Sequence, residues 1–108
     1  MIENKELLKG SSIILILKML EKEPMYGYQM IKTITEKSNN TFKWKEGSLY
    51  PILHSMEKKE YIRSYWKQDK RKRKYYEITN KGLREVKKLE KDWIVFSNSM
   101  NRLLGGTL

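Results

Sequence analysis

The hydrophobic rhythm of this chain changes twice, and those two changes restrict the folds open to it. Up to about residue 60 the apolar residues fall at helical intervals. From Tyr61 to Thr79 aromatic and β-branched residues crowd two short pieces with strand character. Beyond Thr79 a helical interval returns with a narrower spacing. The expected order is therefore three helices, a two-stranded ribbon and one long helix, a mainly α architecture. A length of 108 residues suits one compact domain and is too short for two.

Residues 5–22 read as a helix crowded with Leu7, Leu8, Ile13, Ile14, Leu15, Ile16, Leu17, Met19 and Leu20. Its apolar residues occupy more than one face, so it must be buried against more than one neighbour. Glu23-Pro24 ends it, because proline pushes the residue before it out of helical geometry. A second helix is expected over 27–37, with Met30 and Ile34, or Tyr28, Ile31 and Ile34, on one side. Ser38-Asn39-Asn40 then competes for its backbone hydrogen bonds.

In the third helix Leu49, Ile52, Leu53 and Met56 form a full amphipathic stripe. Pro51 is harmless only in a first turn, which places Ser48 as the N-cap and the helix from about Gly47–Ser48 to Glu60. Strands over 61–67 and 73–79 would then flank a charged tip, Gln68-Asp69-Lys70-Arg71-Lys72. The last helix starts at a Thr79 cap and runs to about Leu104, where Gly105-Gly106 releases it. Along it, Val86, Leu89, Trp93, Phe96, Met100 and Leu103 are spaced 3, 4, 3, 4 and 3, the a/d rhythm of a coiled-coil seam. A seam needs a partner, so these six residues are the expected dimer interface.

Helix, helix, helix, ribbon is the order of a winged helix-turn-helix, in which the third helix enters the major groove of DNA and the ribbon reaches beside it. The charge agrees. The chain carries +10, and the window from Arg63 to Lys74 supplies +6 of it, seven cations against Asp69 alone. Strand-forming aromatics on both sides would hold that block in a hairpin, where it suits phosphates. On the third helix Ser48, Tyr50, His54 and Lys58 face away from the apolar stripe, with Lys43 and Lys45 just before them. Such groups contact phosphates and base edges or are simply solvated. Tyr26 and Tyr28 flank Gly27 at the start of the second helix, suited either to a phosphate oxygen or to the core.

Other classes find little support. Cysteine is absent, which removes disulfides and thiolate metal sites, and His54 is the lone histidine. No glycine-rich phosphate loop or HExxH cluster occurs, so no enzyme, metal or cofactor is expected. The longest apolar run, Ile13 to Leu17, cannot span a bilayer, no signal-peptide pattern opens the chain, and a cytoplasmic protein is expected.

With these residues in view, the chain resembles the PadR family of transcriptional regulators, in its small branch with a single C-terminal helix. The resemblance lies in Pro24-Met25-Tyr26-Gly27-Tyr28, Trp44-Lys45-Glu46-Gly47-Ser48-Leu49-Tyr50-Pro51, Ser64-Tyr65-Trp66, Lys74-Tyr75-Tyr76 and Ile78-Thr79-Asn80-Lys81-Gly82. In that order and spacing the pieces are specific, and they extend over about 7–104.

The resemblance implies a winged helix domain over 1–79, a dimerisation helix over 80–108, and a homodimer on a pseudo-palindromic operator in double-stranded DNA. It implies repression, released in several members by planar aromatic or drug-like molecules. By position it places Tyr26, Lys43, Lys45, Ser48, Tyr50 and the wing cations on DNA, and Trp93 in a flat effector pore between subunits. With Tyr28 and His54, the expected DNA-contacting set is completed by Lys70, Arg71, Lys72, Arg73 and Lys74. One departure is that this wing tip has no glycine and is shorter and more basic than is common in the branch. The other reading of the residues is a winged module that binds a ligand, RNA, an acidic protein or an anionic membrane surface without recognising a DNA sequence.

Overall fold

The computed structural model describes residues 5–105, with side chains from residue 10 onward. The expected contributions of Leu7, Leu8 and Gly106 lie outside these described side chains and residues. In chain order the elements are α1 (Lys5–Lys22), β1 (Met25–Tyr26), α2 (Gly27–Lys37), α3 (Glu46–Lys58), β2 (Ile62–Gln68), β3 (Lys72–Ile78) and α4 (Asn80–Leu103). The fold is a mainly α winged helix with a long final helix.

The multi-faced helix α1 is surrounded as its sequence requires. Ile16, Leu17, Met19 and Leu20 are buried, and α1 packs against α3, α4 and β3. Met30 and Ile34 of α2 and Leu49, Leu53 and Met56 of α3 close the core from the other side. Asn39 and Asn40, both at positive φ (50° and 67°), end α2, with the Asn40 N–H donating to the Thr35 carbonyl at 2.9 Å. Asparagine tolerates this left-handed geometry better than most residues.

Helix α3 begins earlier than its sequence suggests. Lys45, not Ser48, is the N-cap, and it makes no side-chain capping bond. Ser48 is the third helical residue and Pro51 the sixth, inside the helix. Proline there leaves the Gly47 carbonyl without its i+4 donor. Gly47 and Pro51 are both exposed, so water can serve that carbonyl. The helix ends at Lys58 with Lys59 as its C-cap, and Glu60 just beyond takes φ 64° while the Tyr61 N–H reaches back to the Met56 carbonyl at 3.0 Å.

The ribbon is part of a three-stranded antiparallel sheet in the order β1-β3-β2. Met25 pairs with Tyr76 and Tyr26 with Tyr75. Two residues carry no readable period, so β1 has no sequence signal. The β2–β3 register runs from Ile62↔Ile78 to Gln68↔Lys72, leaving a tip of Asp69, Lys70 and Arg71.

Helix α4 is capped by Thr79, whose hydroxyl oxygen accepts from the Gly82 N–H at 3.0 Å. The same hydroxyl sits 2.6 Å from the Glu60 carbonyl, to which it donates. Gly82 is required here, because a Cβ would meet the Tyr61 carbonyl oxygen. One expected interface residue is corrected. Val86 is 0 % exposed and belongs to the core of the single chain. The first turns of α4 are spent on α1 and β3, so a seam to another molecule cannot begin there. Leu89 is half-buried on the same core.

Candidate nucleic-acid interface

Three elements converge on one concave surface: the start of α2, the first turns of α3 and the outer half of the wing. The hollow they form encloses about 530 Å³ and is lined by Tyr26, Gly27, Tyr28, Glu46, Tyr50, Trp66, Arg71, Lys72, Arg73 and Lys74. Seven of the expected DNA-contacting residues thus share one surface: Tyr26, Tyr28, Tyr50 and the four cations 71–74. Lys43, Lys45, Ser48, His54 and Lys70 do not line it. All five are exposed. His54 lies on the outward face of α3, two turns from its start.

Tyr50 is placed by the absence of a side chain opposite it. A Cβ on Gly27 would stand 2.7 Å from the Tyr50 hydroxyl, so only glycine lets that phenol lie against the first turn of α2. Tyr26, the N-cap of α2, makes no side-chain capping bond. The first backbone N–H groups of α2 therefore begin beside two phenols, a setting that suits an anion.

The wing cations are ordered by aromatic rings. Because strand side chains alternate between faces, Tyr65, Lys67, Arg73 and Tyr75 share one side and Trp66, Lys72, Lys74 and Tyr76 the other. On the first side Tyr65 stacks on Tyr75 (5.9 Å between centroids) and Tyr26 meets the Tyr75 edge at 5.3 Å. The Arg73 guanidinium lies 4.6 Å from the Tyr26 ring centre, tying the wing to the start of α2. On the second side Lys72 stands over Trp66 at 5.3 Å and Lys74 over Tyr76 at 5.8 Å. Each such contact is worth about 0.5–1 kcal/mol at an exposed site. They hold the ammonium groups in place without neutralising them, as carboxylates would. At the base of the wing Arg63 pairs with Glu77, so that cation is already neutralised.

Beneath the hollow, Tyr76 is 3 % exposed. Burial, and then the Glu57 carboxylate and Tyr50, push its phenol up to about 12. Three lining residues lay outside the sequence expectation: Gly27, Glu46 and Trp66. Trp66, a β2 residue of the Ser64-Tyr65-Trp66 piece, is 61 % exposed. Glu46 is the sole carboxylate in this lining, and repels phosphate.

A second groove separates α1 from α4. It encloses about 370 Å³ between Gly10, Ile13, Ile14, Lys59, Tyr61, Glu85, Leu89, Asp92, Trp93 and Phe96. The Trp93 and Phe96 rings lie 5.9 Å apart. Beyond this point α4 leaves the core with Trp93, Ile94, Val95, Phe96, Met100, Leu103 and Leu104 all exposed. Ile94 and Val95 fall off the 3-4 seam, so the bare surface is wider than the seam alone.

A three-helix core with a ribbon beside the third helix and a cationic concave face defines a winged helix-turn-helix protein of the DNA-binding class. Residues 16–88 match the model of the Transcriptional regulator PadR-like family. The chain belongs to that family. It is 36 % identical over 90 residues to an uncharacterized protein from Lysinibacillus sphaericus, covering 82 % of this chain and 83 % of that one.

Among solved structures it is similar to a transcriptional regulator from Clostridium thermocellum, with TM-score 0.85, 30 % identity, and 91 % of this chain and 97 % of that one covered. A PadR-like transcriptional regulator from Bacillus cereus gives TM-score 0.82 and 34 % identity, covering 94 % and 99 %. The protein is a transcriptional regulator, and its family is one of DNA-binding proteins rather than enzymes.

Proposed function

We propose that this chain is a homodimeric repressor that binds a pseudo-palindromic operator and is released by a small planar aromatic effector. The observation that carries the reading is the combination of one basic, ring-ordered hollow per chain with an α4 that ends in bare apolar surface. The residues over 1–79 read DNA and those over 80–108 hold two copies together, in the cytoplasm. Lys43, Lys45, Lys70, Ser48 and His54 extend the contact beyond the hollow, toward phosphates and base edges on either side.

Trp93, Phe96, Met100 and Leu103 are the interface, with Leu89 at its inner edge. A stretch in which tryptophan is 48 % and phenylalanine 54 % exposed invites burial by a second copy. The groove beside Trp93 has aromatic walls and two carboxylates, Glu85 and Asp92. That chemistry favours a flat aromatic cation as effector.

The deciding experiment is selection of bound fragments from genomic DNA, followed by competition between a selected duplex and random duplexes. The expected operator has half-sites about 34 Å apart, one helical turn. Equal affinity for every duplex would replace this reading with a winged module that lacks sequence recognition. For the effector, a planar aromatic cation should quench tryptophan emission saturably in the wild type and not in Trp93→Ala.

A further inference from the structure

On the opposite side of α1 from the Trp93 groove, a third concavity opens between α1 and the C-terminal end of α2. It encloses about 370 Å³, within the size range of small-molecule sites. Its walls are apolar: Leu15, Met19, Met25, Ile34 and Phe42. Its rim is cationic, formed by Lys18, Lys22 and Lys37.

The three lysines are not equivalent. Lys18 is neutralised twice, by Glu21 at 2.9 Å and Glu90 at 3.1 Å. Among the described residues neither Lys22 nor Lys37 takes part in a salt bridge. Both line the same rim, and the nearby Lys22 ammonium lowers the Lys37 pKa from its ordinary value. Two like charges on the rim of an apolar cleft leave a place where one anion would relieve the repulsion.

We propose that this cleft is a ligand site for an anionic amphiphile, a carboxylate with an unbranched hydrocarbon tail. The carboxylate sits between the Lys22 and Lys37 ammonium groups, and the tail lies along Met19, Ile34 and Phe42. The two methionines of the wall, Met19 and Met25, adapt their shape to a flexible chain more readily than branched side chains would. A cationic or neutral amphiphile fits the walls equally well but not the rim.

The cleft also joins the two helices that support α3. Ser38, at the end of α2, lines it, and the Ser38 hydroxyl accepts the Phe42 N–H at 3.0 Å. A bound tail therefore touches the segment that leads from α2 into α3. The binding claim itself stands independently of the repressor reading, because it involves none of the residues of the DNA hollow or of the α4 surface.

The test uses the full chain, with decanoate as probe and decanol and decyltrimethylammonium as comparisons. Calorimetric titration and the methyl resonances of the methionines give two readouts. Decanoate is expected to bind saturably, at least tenfold more tightly than either comparison. It should shift the Met19 and Met25 methyls and leave that of Met100 on α4 in place. Lys22→Gln/Lys37→Gln should weaken decanoate at least tenfold. Lys88→Gln, which removes one exposed charge elsewhere, should not. Absence of saturable binding, equal binding of decanol, a response at Met100 instead, or full affinity in the double variant would each overturn the proposal.

Discussion

Arg71 and Lys72 line the hollow, are exposed, and carry the strongest quantitative consequence of the proposed DNA mode. Suppose each neutralises one phosphate. In a dimer, Arg71→Ala/Lys72→Ala then removes four contacts. Each contact contributes about 0.9 to the slope of log K against log salt, so the slope should flatten by about 3.6. Between 1 M and 0.15 M salt, about 0.8 of a log unit, that amounts to a loss of about 10³-fold at the lower salt, or about 4 kcal/mol. The wild-type and variant lines should converge near 1 M.

The fold should survive, because both side chains project from the wing and the only contact among the described residues lost with them is Lys72 over Trp66. Fluorescence anisotropy with a selected duplex and a random one, at five salt concentrations, measures both slopes. Because phosphates carry no sequence, affinity for the two duplexes should fall by the same factor. An unchanged slope would refute the phosphate assignment. A loss confined to the selected duplex would refute it differently, by making these residues readers of bases.

Three other outcomes follow from the same structure. Phe96→Asp should convert the proposed dimer to monomers. It removes about 1 kcal/mol of burial per chain and places two carboxylates in an apolar seam at several kcal/mol more, a shift of at least 10³-fold visible by sedimentation. A variant that still sediments as a dimer would mean another surface pairs the chains. Gly82→Ala should destabilise by about 2 kcal/mol in urea, since the added methyl meets the immovable Tyr61 carbonyl and outweighs alanine's helix preference of about 1 kcal/mol; a gain in stability would contradict that close approach.

The Tyr76 phenol, raised to about 12 chiefly by burial, keeps its proton while an unfolded chain gives up the same proton near pH 10. Its contribution is therefore complete below pH 10 and lost as the pH climbs to 12. Tyr76→Phe should show a shallower fall of urea midpoint across that window; parallel curves would rule out the buried phenol as the cause.

Periodicity by itself determined the helices and the ribbon of this protein, though not the two-residue β1. The bounds of α1 and α2, the ribbon and the Thr79 cap were all legible, because helix stripes and caps are written in neighbouring residues. Charge patterning likewise marked the wing, since a block of like charges between strand formers is a local signal. What tertiary structure decided were questions of who packs against whom. Val86 and Trp93 share one a/d spacing, yet Val86 packs into the core of the single chain while Trp93 lies half exposed on the groove between α1 and α4. Strand β1 exists only because β3 offers it an edge, and the α3 N-cap lies three residues before Ser48 because Pro51 is tolerated where the carbonyl it orphans faces water. Gly27, Glu46 and Trp66 joined the hollow for the same reason: proximity across three elements leaves no trace in the order of residues along one.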